Sequence, residues 1–363
     1  NHNIMSKPYV VGIDIGGTNT VFGIVDARGQ VVASDSIKTQ KHTNFDDYVA
    51  ELHEGLSRLI KVNELEDQIQ GIGIGAPNGN YYTGEIQNPP NLPWGPEIPL
   101  AKNVSKAFNG IPVAVTNDAN AAALGEMTYG AARGMKDFIM ITLGTGVGSG
   151  IVINGQLVYG SDGFAGELGH VIVKRNNGRV CGCGRTGCLE AYCSATGVAR
   201  TAREFIEVRQ EPSLLRNLDI DAITSKDVYD AAIAGDKLAK EIFTYTGTIL
   251  GEAMADMVAF SSPQAIILFG GLAKSGDLLM TPLREAFNKN VLNIFKGHTK
   301  LLISELKDSD AAVLGASALG WEAKYRYEAP AADAAATAAA NIASAAAAAA
   351  APAATSAEAE KKA

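Results

Sequence analysis

The chain contains little cysteine. Only four of its 363 residues are Cys, and three of these lie in one stretch, CGCGRTGC at 181–188. The N-terminal residues lack the pattern of a basic segment, an apolar stretch and a small-residue cleavage site that marks a secretory signal. We therefore expect a cytoplasmic protein with reduced thiols, which disfavours a disulfide role for the cysteines.

Long apolar runs and basic runs are also missing. The sequence has no window of about 18 uninterrupted apolar residues, the length that a membrane-spanning helix needs. Its 31 basic and 39 acidic residues give a net charge of −8, and no Lys/Arg run is long enough to follow a nucleic-acid backbone. These features predict that neither a membrane nor a nucleic acid is a partner.

Glycine is abundant, with 39 residues, and the chain is long enough for two lobes with a cleft between them. Apolar runs, an amphipathic stretch at 46–65 and the run GIGIGAP predict the order β-β-β-α-β, which is typical of an α/β fold. The run ITLGTGVGSGIVINGQLVY repeats the pattern of IDIGGTNTVFGIVDARGQVVA, which indicates a diverged internal duplication. We place the lobes at residues 8–133 and 134–325, and we treat the Ala-rich residues 329–363 as a tail without function.

Three glycine turns follow predicted buried strands, at Asp14–Asn19, Gly144–Gly150 and Gly270–Gly271. The first is not a Walker loop, because GxxxxGK[ST] does not occur, nor a dinucleotide fingerprint, because a strand and not a helix follows it. A strand-turn-strand hairpin can still bring bare backbone amides close to phosphate oxygens. Thr18 could add a hydroxyl donor, and Asp14 is placed to hold a hydrated Mg²⁺.

The cysteine cluster suits a metal better than a disulfide. Bonding the two thiols of CxC would close a small strained ring, and the redox spacing CxxC is absent. Three thiolates and one further ligand satisfy tetrahedral Zn²⁺. The residues alone leave two candidates for that ligand, His170 and Cys193.

Three carboxylates have both a structural and a functional interpretation. Asp118 lies where a predicted strand ends and a helix begins, so it could simply cap that helix. Glu167 and Glu190 flank the cysteine cluster, where a surface loop would leave them solvated. In a polar pocket, such carboxylates would accept hydrogen bonds from the hydroxyl groups of a ligand and select among their arrangements.

Six motifs in order resemble the ROK family of sugar kinases, within the actin and hexokinase-like superfamily. They are DIGGTN (14–19), NDAN (117–120), LGTGVGSG (143–150), ELGH (167–170), CGCGRTGCLE (181–190) and FGG (269–271). The resemblance covers about residues 8–325. It implies a two-lobed, duplicated ribonuclease H-like fold, ATP with Mg²⁺ in the cleft, and phosphorylation of the 6-hydroxyl of a hexose, with glucose the first candidate.

The resemblance also implies roles for individual residues. Asp118 would be the general base, and the sugar would contact Asn91, Asn117, Glu167, His170, Glu190 and Gly79. ATP would contact Asp14, Gly16, Gly17, Thr18, Gly144, Thr145, Gly146, Gly148, Gly270 and Gly271. A structural zinc would bind His170, Cys181, Cys183 and Cys188, which leaves Cys193 as an incidental thiol. The APNG stretch at 76–79 departs from the more usual APG spacing at the position of Gly79.

Alternative activities within this family are N-acetylglucosamine or N-acetylmannosamine kinase, fructokinase and a broad hexokinase. A sugar-responsive ROK repressor would carry an N-terminal helix-turn-helix domain. This chain reaches DIGG at residue 14, so we expect a kinase. The family commonly forms dimers or tetramers, and we expect a homo-oligomer.

Overall fold

The computed structural model describes residues 7–89 and 91–328. In chain order, its elements are β1 (Tyr9–Ile15), β2 (Asn19–Asp26), β3 (Val31–Lys38), α1 (Phe45–Val62), β4 (Ile69–Gly75), β5 (Ile86–Gln87), β6 (Glu97–Ile98), α2 (Leu100–Ala107), β7 (Val113–Thr116), α3 (Asp118–Tyr129), β8 (Phe138–Leu143), β9 (Val147–Ile153), β10 (Gln156–Leu157), α4 (Glu190–Cys193), α5 (Ala195–Val208), α6 (Ser225–Ile233), α7 (Lys237–Ser261), β11 (Ala265–Phe269), α8 (Asp277–Asn290), β12 (Lys300–Ile303) and α9 (Asp308–Gly320). The Ala-rich segment 329–363 lies outside the described residues.

The first sheet has the strand order β3-β2-β1-β4-β7. β1 is antiparallel to β2 and parallel to β4, and β4 is parallel to β7. Helix α1 begins after Asn44, whose side chain accepts hydrogen bonds from two backbone amides of the first turn, and buries Leu52 and Leu56 in the core of this lobe. The predicted β-β-β-α-β order is confirmed. The helix ends at Val62, before the predicted residue 65, because Glu64 has a left-handed φ of 56°.

The second sheet has the strand order β10-β9-β8-β11-β12 and repeats the strand directions of the first. Asn154 and Gly155 join β9 to β10 with φ angles of 53° and 76°. Two consecutive positive φ angles are typical of the type I′ turns that suit hairpin twist. The matching topology supports the predicted duplication, whereas the lobe limits 8–133 and 134–325 stay a prediction.

Helix α9 packs on the first sheet, against β1 and β4, while α3 packs on β8 and β9 of the second sheet. Glycines in the strands allow this close approach. A Cβ at Gly12 would lie 2.1 Å from the Val313 carbonyl oxygen, and one at Gly73 would lie 1.9 Å from that of Ala316. The two helices also meet each other, where a Cβ at Gly125 would lie 2.9 Å from Gly315 Cα. The lobes are therefore connected through this helix pair.

The glycine contact under α9 leads to a stability prediction. We expect Gly73→Ala to destabilise the fold by about 2 kcal/mol or more, because β4 or α9 must shift to admit the methyl group. Gly144→Ala is the matched control for stability, since a Cβ there meets nothing within 4 Å. Thermal unfolding measures both variants, and an unchanged Tm for Gly73→Ala would contradict the packing described.

Helix α7, with 25 residues, is the longest helix in the described part of the chain, and it packs along α8. Close contact again depends on glycine, because a Cβ at Gly251 would lie 2.3 Å from the Leu283 carbonyl oxygen. The apolar side chains of α7 belong to the core of the second lobe. Within residues 7–89 and 91–328, no helix combines the length and the hydropathy that crossing a bilayer requires.

Candidate active site

The parallel strands β1, β4 and β7 end at the same edge of the first sheet. Their register places Asp14 beside Gly75 and Gly75 beside Thr116. Asp118 follows Thr116 by two residues, and its carboxyl group lies close enough to that of Asp14 for each to shift the pKa of the other. A Cβ at Gly75 would stand 3.6 Å from Asp118 Oδ1, so the end of β4 lies directly beside this carboxylate. Two acidic side chains distant in sequence thus meet at one strand edge.

Asn117, and not Asp118, is the N-cap of α3. Its side-chain oxygen accepts a hydrogen bond from the Asn120 amide at 2.8 Å. Asp118 is the first helical residue, where a carboxylate is favoured by the helix dipole. The capping interpretation of Asp118 is therefore wrong, and its carboxylate is available to the cavity that it lines.

The electrostatics of the acidic pair favour a shared proton. Asp118 is open to the cleft, but it lies at the cleft floor, where surrounding protein replaces much of its hydration. This desolvation raises the pKa of Asp118 well above the usual carboxyl range, and the neighbouring charge of Asp14 raises it further. Burial likewise raises the pKa of Asp14, while the adjacent carboxyl group of Asp118 opposes the shift. The pair is set to exchange a proton near neutral pH.

A cavity of about 510 Å³ opens above Asp118 and is lined by both halves of the chain. It brings together many of the residues predicted from the motifs: Gly79, Asn117, Asp118, Gly144, Gly146, Gly148, Glu167, His170, Glu190 and Gly270. The departure at APNG therefore does not remove Gly79 from this cavity.

Glu190 connects the second glycine turn to the cysteine loop. Its Oε2 accepts a hydrogen bond from the Val147 amide at 2.8 Å. A Cβ at Gly146 would lie 2.5 Å from the same oxygen, so a side chain at this position would displace the carboxylate from where it accepts this hydrogen bond. Glu190 is thus fixed at the cavity wall and is not a freely solvated surface charge.

His170, Cys181, Cys183 and Cys188 converge, with one ligand atom of each lying within 4.8 Å of the others. The Sγ atoms of Cys183 and Cys188 are 3.6 Å apart, and Cys181 Sγ is 3.7 Å from His170 Nδ1. Two ligands of a tetrahedral Zn²⁺ at about 2.3 Å would be separated by about 3.8 Å. The four donors therefore fit a closed zinc site in number, type and spacing.

The fourth donor of this group is His170 and not Cys193. Cys193 is fully buried, and its Sγ donates to the Thr246 carbonyl oxygen at 3.6 Å. Sequence spacing could not choose between these two residues, because the choice depends on how the loop folds back. His170 directs Nδ1 to the cysteines and places Nε2 3.9 Å from Glu167 Oε2. One ring thus connects the metal donors to the cavity wall.

A second cavity, of about 450 Å³, lies on the other side of the Gly144 turn. Leu143 and Gly144 line both cavities. Thr145 and Gly271, which were predicted to contact ATP, line the second one. The glycine turn therefore forms the wall between two spaces, where a chain of phosphates could pass from one to the other.

Several residues that line these cavities were not predicted from the sequence. The second cavity also contains Ser225, Lys226, Tyr229, Lys274 and Ser275, and the first also contains Asn78, Ser149 and Phe164. The residues from α6 belong to no glycine or acidic motif, so only tertiary structure reveals them. Phe164 lies close to the ELGH motif, and Ser149 lies within the LGTGVGSG motif, so these two motifs were the available signal.

The first glycine turn, Gly16–Thr18, differs from the other two glycine turns in its position relative to the two cavities. Of the described residues that line either cavity, none comes from Gly16–Thr18, and Asn91 is also outside both sets. The Gly16 amide donates to the Asn19 carbonyl at 2.9 Å and closes the turn directly after Asp14. A Cβ at Gly17 would lie 3.4 Å from Asn91 Cβ. These two predicted elements therefore contact each other near the acidic pair, and their ligand contacts stay a prediction.

Comparison with known proteins agrees with this arrangement. The sequence matches the ROK family over residues 10–323. It is 37% identical to the glucokinase of Halalkalibacterium halodurans, over 88% of this chain and 96% of that protein. The structure resembles a ROK family glucokinase from Streptomyces griseus in complex with glucose and AMPPNP (TM-score 0.70, 32% identity, 86% of this chain and 99% of that one).

It also resembles the ROK hexokinase of Thermus thermophilus, with a TM-score of 0.71 and 28% identity over 86% of this chain and 98% of that one. These similarities confirm the predicted actin/hexokinase-like α/β fold. With the family match spanning most of the sequence, the chain belongs to the ROK family.

Proposed function

We propose that the protein transfers the γ-phosphoryl group of ATP to the 6-hydroxyl of glucose, with Asp118 as general base. One observation carries this proposal. A carboxylate with a raised pKa lies at the floor of a polar cavity, and a glycine turn separates that cavity from a second one. Sugar, phosphates and nucleoside can therefore occupy one continuous path. The glucokinases among its relatives support glucose as the acceptor.

Phosphoryl transfer needs positioning and charge stabilisation more than covalent catalysis. Glu167 and Glu190 would accept hydrogen bonds from the sugar hydroxyls, and His170 would donate one from Nε2. Asn117, Asn91 and the Gly79 backbone would complete the set of sugar contacts. Asp118 would orient the 6-hydroxyl and take its proton as the new O–P bond forms. The bond from the γ-phosphorus to the bridging oxygen breaks, and ADP leaves with that oxygen.

The nucleotide would follow the glycine turns. We infer that adenosine lies in the second cavity near Gly270 and Gly271, and that the phosphates pass Gly144, Thr145, Gly146 and Gly148. The first turn, Gly16, Gly17 and Thr18, would face them from the other lobe. A magnesium ion bound with ATP supplies positive charge to the phosphates. The close pair of carboxylates fits such a cation, and Asp14 would hold it through water.

Zinc would have a structural role in this site. Four protein donors fill a tetrahedral shell and leave no open position for activating water. Coordination through Nδ1 would fix the His170 tautomer with a proton on Nε2, the nitrogen that faces the cavity. The zinc site would thereby shape the sugar wall.

An ADP-release assay tests the acceptor. With ATP and Mg²⁺ in excess, we expect the highest kcat/KM for glucose among glucose, mannose, fructose, N-acetylglucosamine and N-acetylmannosamine. A preference for either N-acetyl sugar would replace glucose with one of the alternative activities. Light scattering on the same preparation tests the expected homo-oligomer.

The raised pKa of Asp118 predicts the pH dependence. Asp118 acts as a base only when deprotonated, so protonation below its raised pKa removes activity. With saturating sugar, kcat/KM for MgATP should fall as the pH drops through the neutral range, because this parameter reports the enzyme before MgATP binds. Circular dichroism at each pH checks that the fold persists. A profile flat down to about pH 5, where an ordinary aspartate is still ionised, would contradict the shift.

A further inference from the structure

The loop that follows β10, residues 158–167, carries two groups on the wall of the proposed sugar cavity. Phe164 and Glu167 both line that cavity. This loop belongs to the half of the chain that holds the second sheet, whereas Gly79, on the same wall, belongs to the half that holds the first. The position of the loop relative to the first half therefore decides whether the cavity wall is complete.

The end of this loop is fixed to its own sheet. The Ser149 hydroxyl on β9 donates to the Gly166 carbonyl oxygen and accepts a hydrogen bond from the Leu168 amide at 3.0 Å. The loop tip, residues 160–164, extends beyond these bonds. Its position depends on contacts with the other half of the chain.

Asn80 makes the main polar contact between this tip and the first half of the chain. The residue is 1% exposed, and it directly follows the APNG stretch, which departs from the more usual spacing. Its Nδ2 donates to the Asp162 carbonyl oxygen at 2.8 Å. A Cβ at Gly163, where φ is 89°, would lie 2.6 Å from the same nitrogen, so the loop backbone packs directly on the amide. One buried side chain thus joins segments 82 residues apart.

The oxygen of the same side chain has a local role. Asn80 Oδ1 accepts hydrogen bonds from the Tyr82 amide at 2.9 Å and from the Thr83 amide at 3.3 Å. Asparagine commonly stabilises a turn in this way, so a structural role explains Oδ1. The bond donated to Asp162 serves a different segment, and a side chain that only accepts could not make it.

Tyrosine side chains support the same crossing. The Tyr82 hydroxyl donates to the Gly160 carbonyl oxygen at 2.8 Å. The rings of Tyr81 and Tyr159 are stacked, with centroids 4.1 Å apart and an angle of 6° between their planes. Such an aromatic pair contributes beyond the apolar area that it buries. Polar and apolar contacts thus hold the loop tip together.

We propose that Asn80 is a positioning residue for the sugar. It holds the loop tip across the two halves of the chain and so keeps Phe164 and Glu167 in place on the cavity wall. The inference rests on the proposed function. Asn80 is not among the described residues that line the cavity, so it acts through the loop and not by touching the sugar. The apparent affinity for sugar then depends on the fraction of molecules whose loop is in place.

Steady-state kinetics of two Asn80 variants tests the proposal. Asn80→Ala should raise the KM for glucose about fivefold or more, as for a loop in place about a fifth of the time, and leave kcat and the KM for MgATP within about twofold of the wild type. Asn80→Asp should raise the KM for glucose as well. At about pH 8 its ionised carboxylate still accepts the turn bonds but cannot donate to Asp162. Asn63→Ala is the matched control, because Asn63 Nδ2 donates at 2.8 Å to Leu59, within one helix.

Hydrogen exchange of the ligand-free variants, followed by mass spectrometry, examines the loop without any substrate. In Asn80→Asp, the amides of residues 159–167 should exchange at least about threefold faster, because the loop opens more often. The amides of residues 80–85 should keep their rate, since the turn bonds remain. Saturating glucose should restore the protection of the loop. A role limited to the turn would not change exchange in the distant loop.

The results separate the positioning role from the proposed function. If the wild type phosphorylates glucose and both Asn80 variants keep its KM, the positioning role is overturned and the proposed function stands. Equal increases in the KM for glucose and for MgATP, or faster exchange confined to residues 80–85, also overturn the positioning role. If the wild type phosphorylates no sugar, the proposed function fails and the positioning role fails with it.

Discussion

Asp118→Asn is expected to lower kcat by about three orders of magnitude, within the range that loss of a general base produces. The asparagine side chain has nearly the same shape but cannot take the proton of the 6-hydroxyl. Because Asn117 caps α3, the substitution leaves the helix start intact. Loss of a desolvated carboxylate beside Asp14 also removes a repulsion, so we expect no loss of stability.

Three measurements separate catalysis from binding in this variant. The coupled assay gives kcat, calorimetry gives the Kd of the sugar and of the nucleotide, and thermal unfolding gives Tm. Both Kd values should stay within about threefold of the wild type, a difference smaller than one typical hydrogen bond. Asp35→Asn, an exposed aspartate on β3, is the matched control and should keep full activity. A kcat within tenfold of the wild type would refute Asp118 as the base.

Cys183→Ser is expected to reduce the zinc content from about one ion per chain to almost none. A serine hydroxyl is a poor zinc ligand, and three remaining donors do not close a tetrahedral structural site. The loop that follows His170 would lose its anchor, since His170 and Cys181 face each other across the site at 3.7 Å. The KM for sugar should rise at least about tenfold, the scale on which partners of metal ligands act.

Elemental analysis of the purified protein measures the zinc, and the coupled assay measures the KM. Cys193→Ser is the matched control, because Cys193 donates to Thr246 and is not part of the converging group. It should keep its zinc, although a buried hydroxyl in place of a thiol will lower its stability. Wild-type protein without zinc, or zinc retained in Cys183→Ser and lost in Cys193→Ser, would contradict the assignment.

The glycine and acidic motifs predicted much of the candidate site because each lies at the end of a strand. Asp14 lies at the end of β1 and Asp118 follows β7, so the parallel strands of the first sheet place them at one edge. Gly144 follows β8 in the second sheet, which repeats the strand directions of the first. The internal repeat predicted the duplicated topology because each copy carries the same order of strands and turns. Local sequence is sufficient to predict a site residue where its position follows from the order of the strands.

Other features depend on contacts between distant segments, and local patterns do not contain them. The sequence could not show that Asn117, and not Asp118, is the N-cap of α3, because this depends on the backbone conformation at the two residues. The second cavity draws Lys226 and Tyr229 from α6, a helix whose amphipathic pattern indicates only packing. The return of α9 to the first sheet depends on Gly12 and Gly73, residues that the sequence shows merely as parts of apolar strands.

The central claim is that both substrates meet at Asp118 and that the 6-hydroxyl is the acceptor. Phosphorus NMR of a reaction with ATP, Mg²⁺ and glucose tests it most directly. We expect equal amounts of ADP and glucose 6-phosphate, with neither product formed by Asp118→Asn on the same timescale. Phosphate on another hydroxyl, or ADP released with inorganic phosphate and no sugar phosphate, would contradict it.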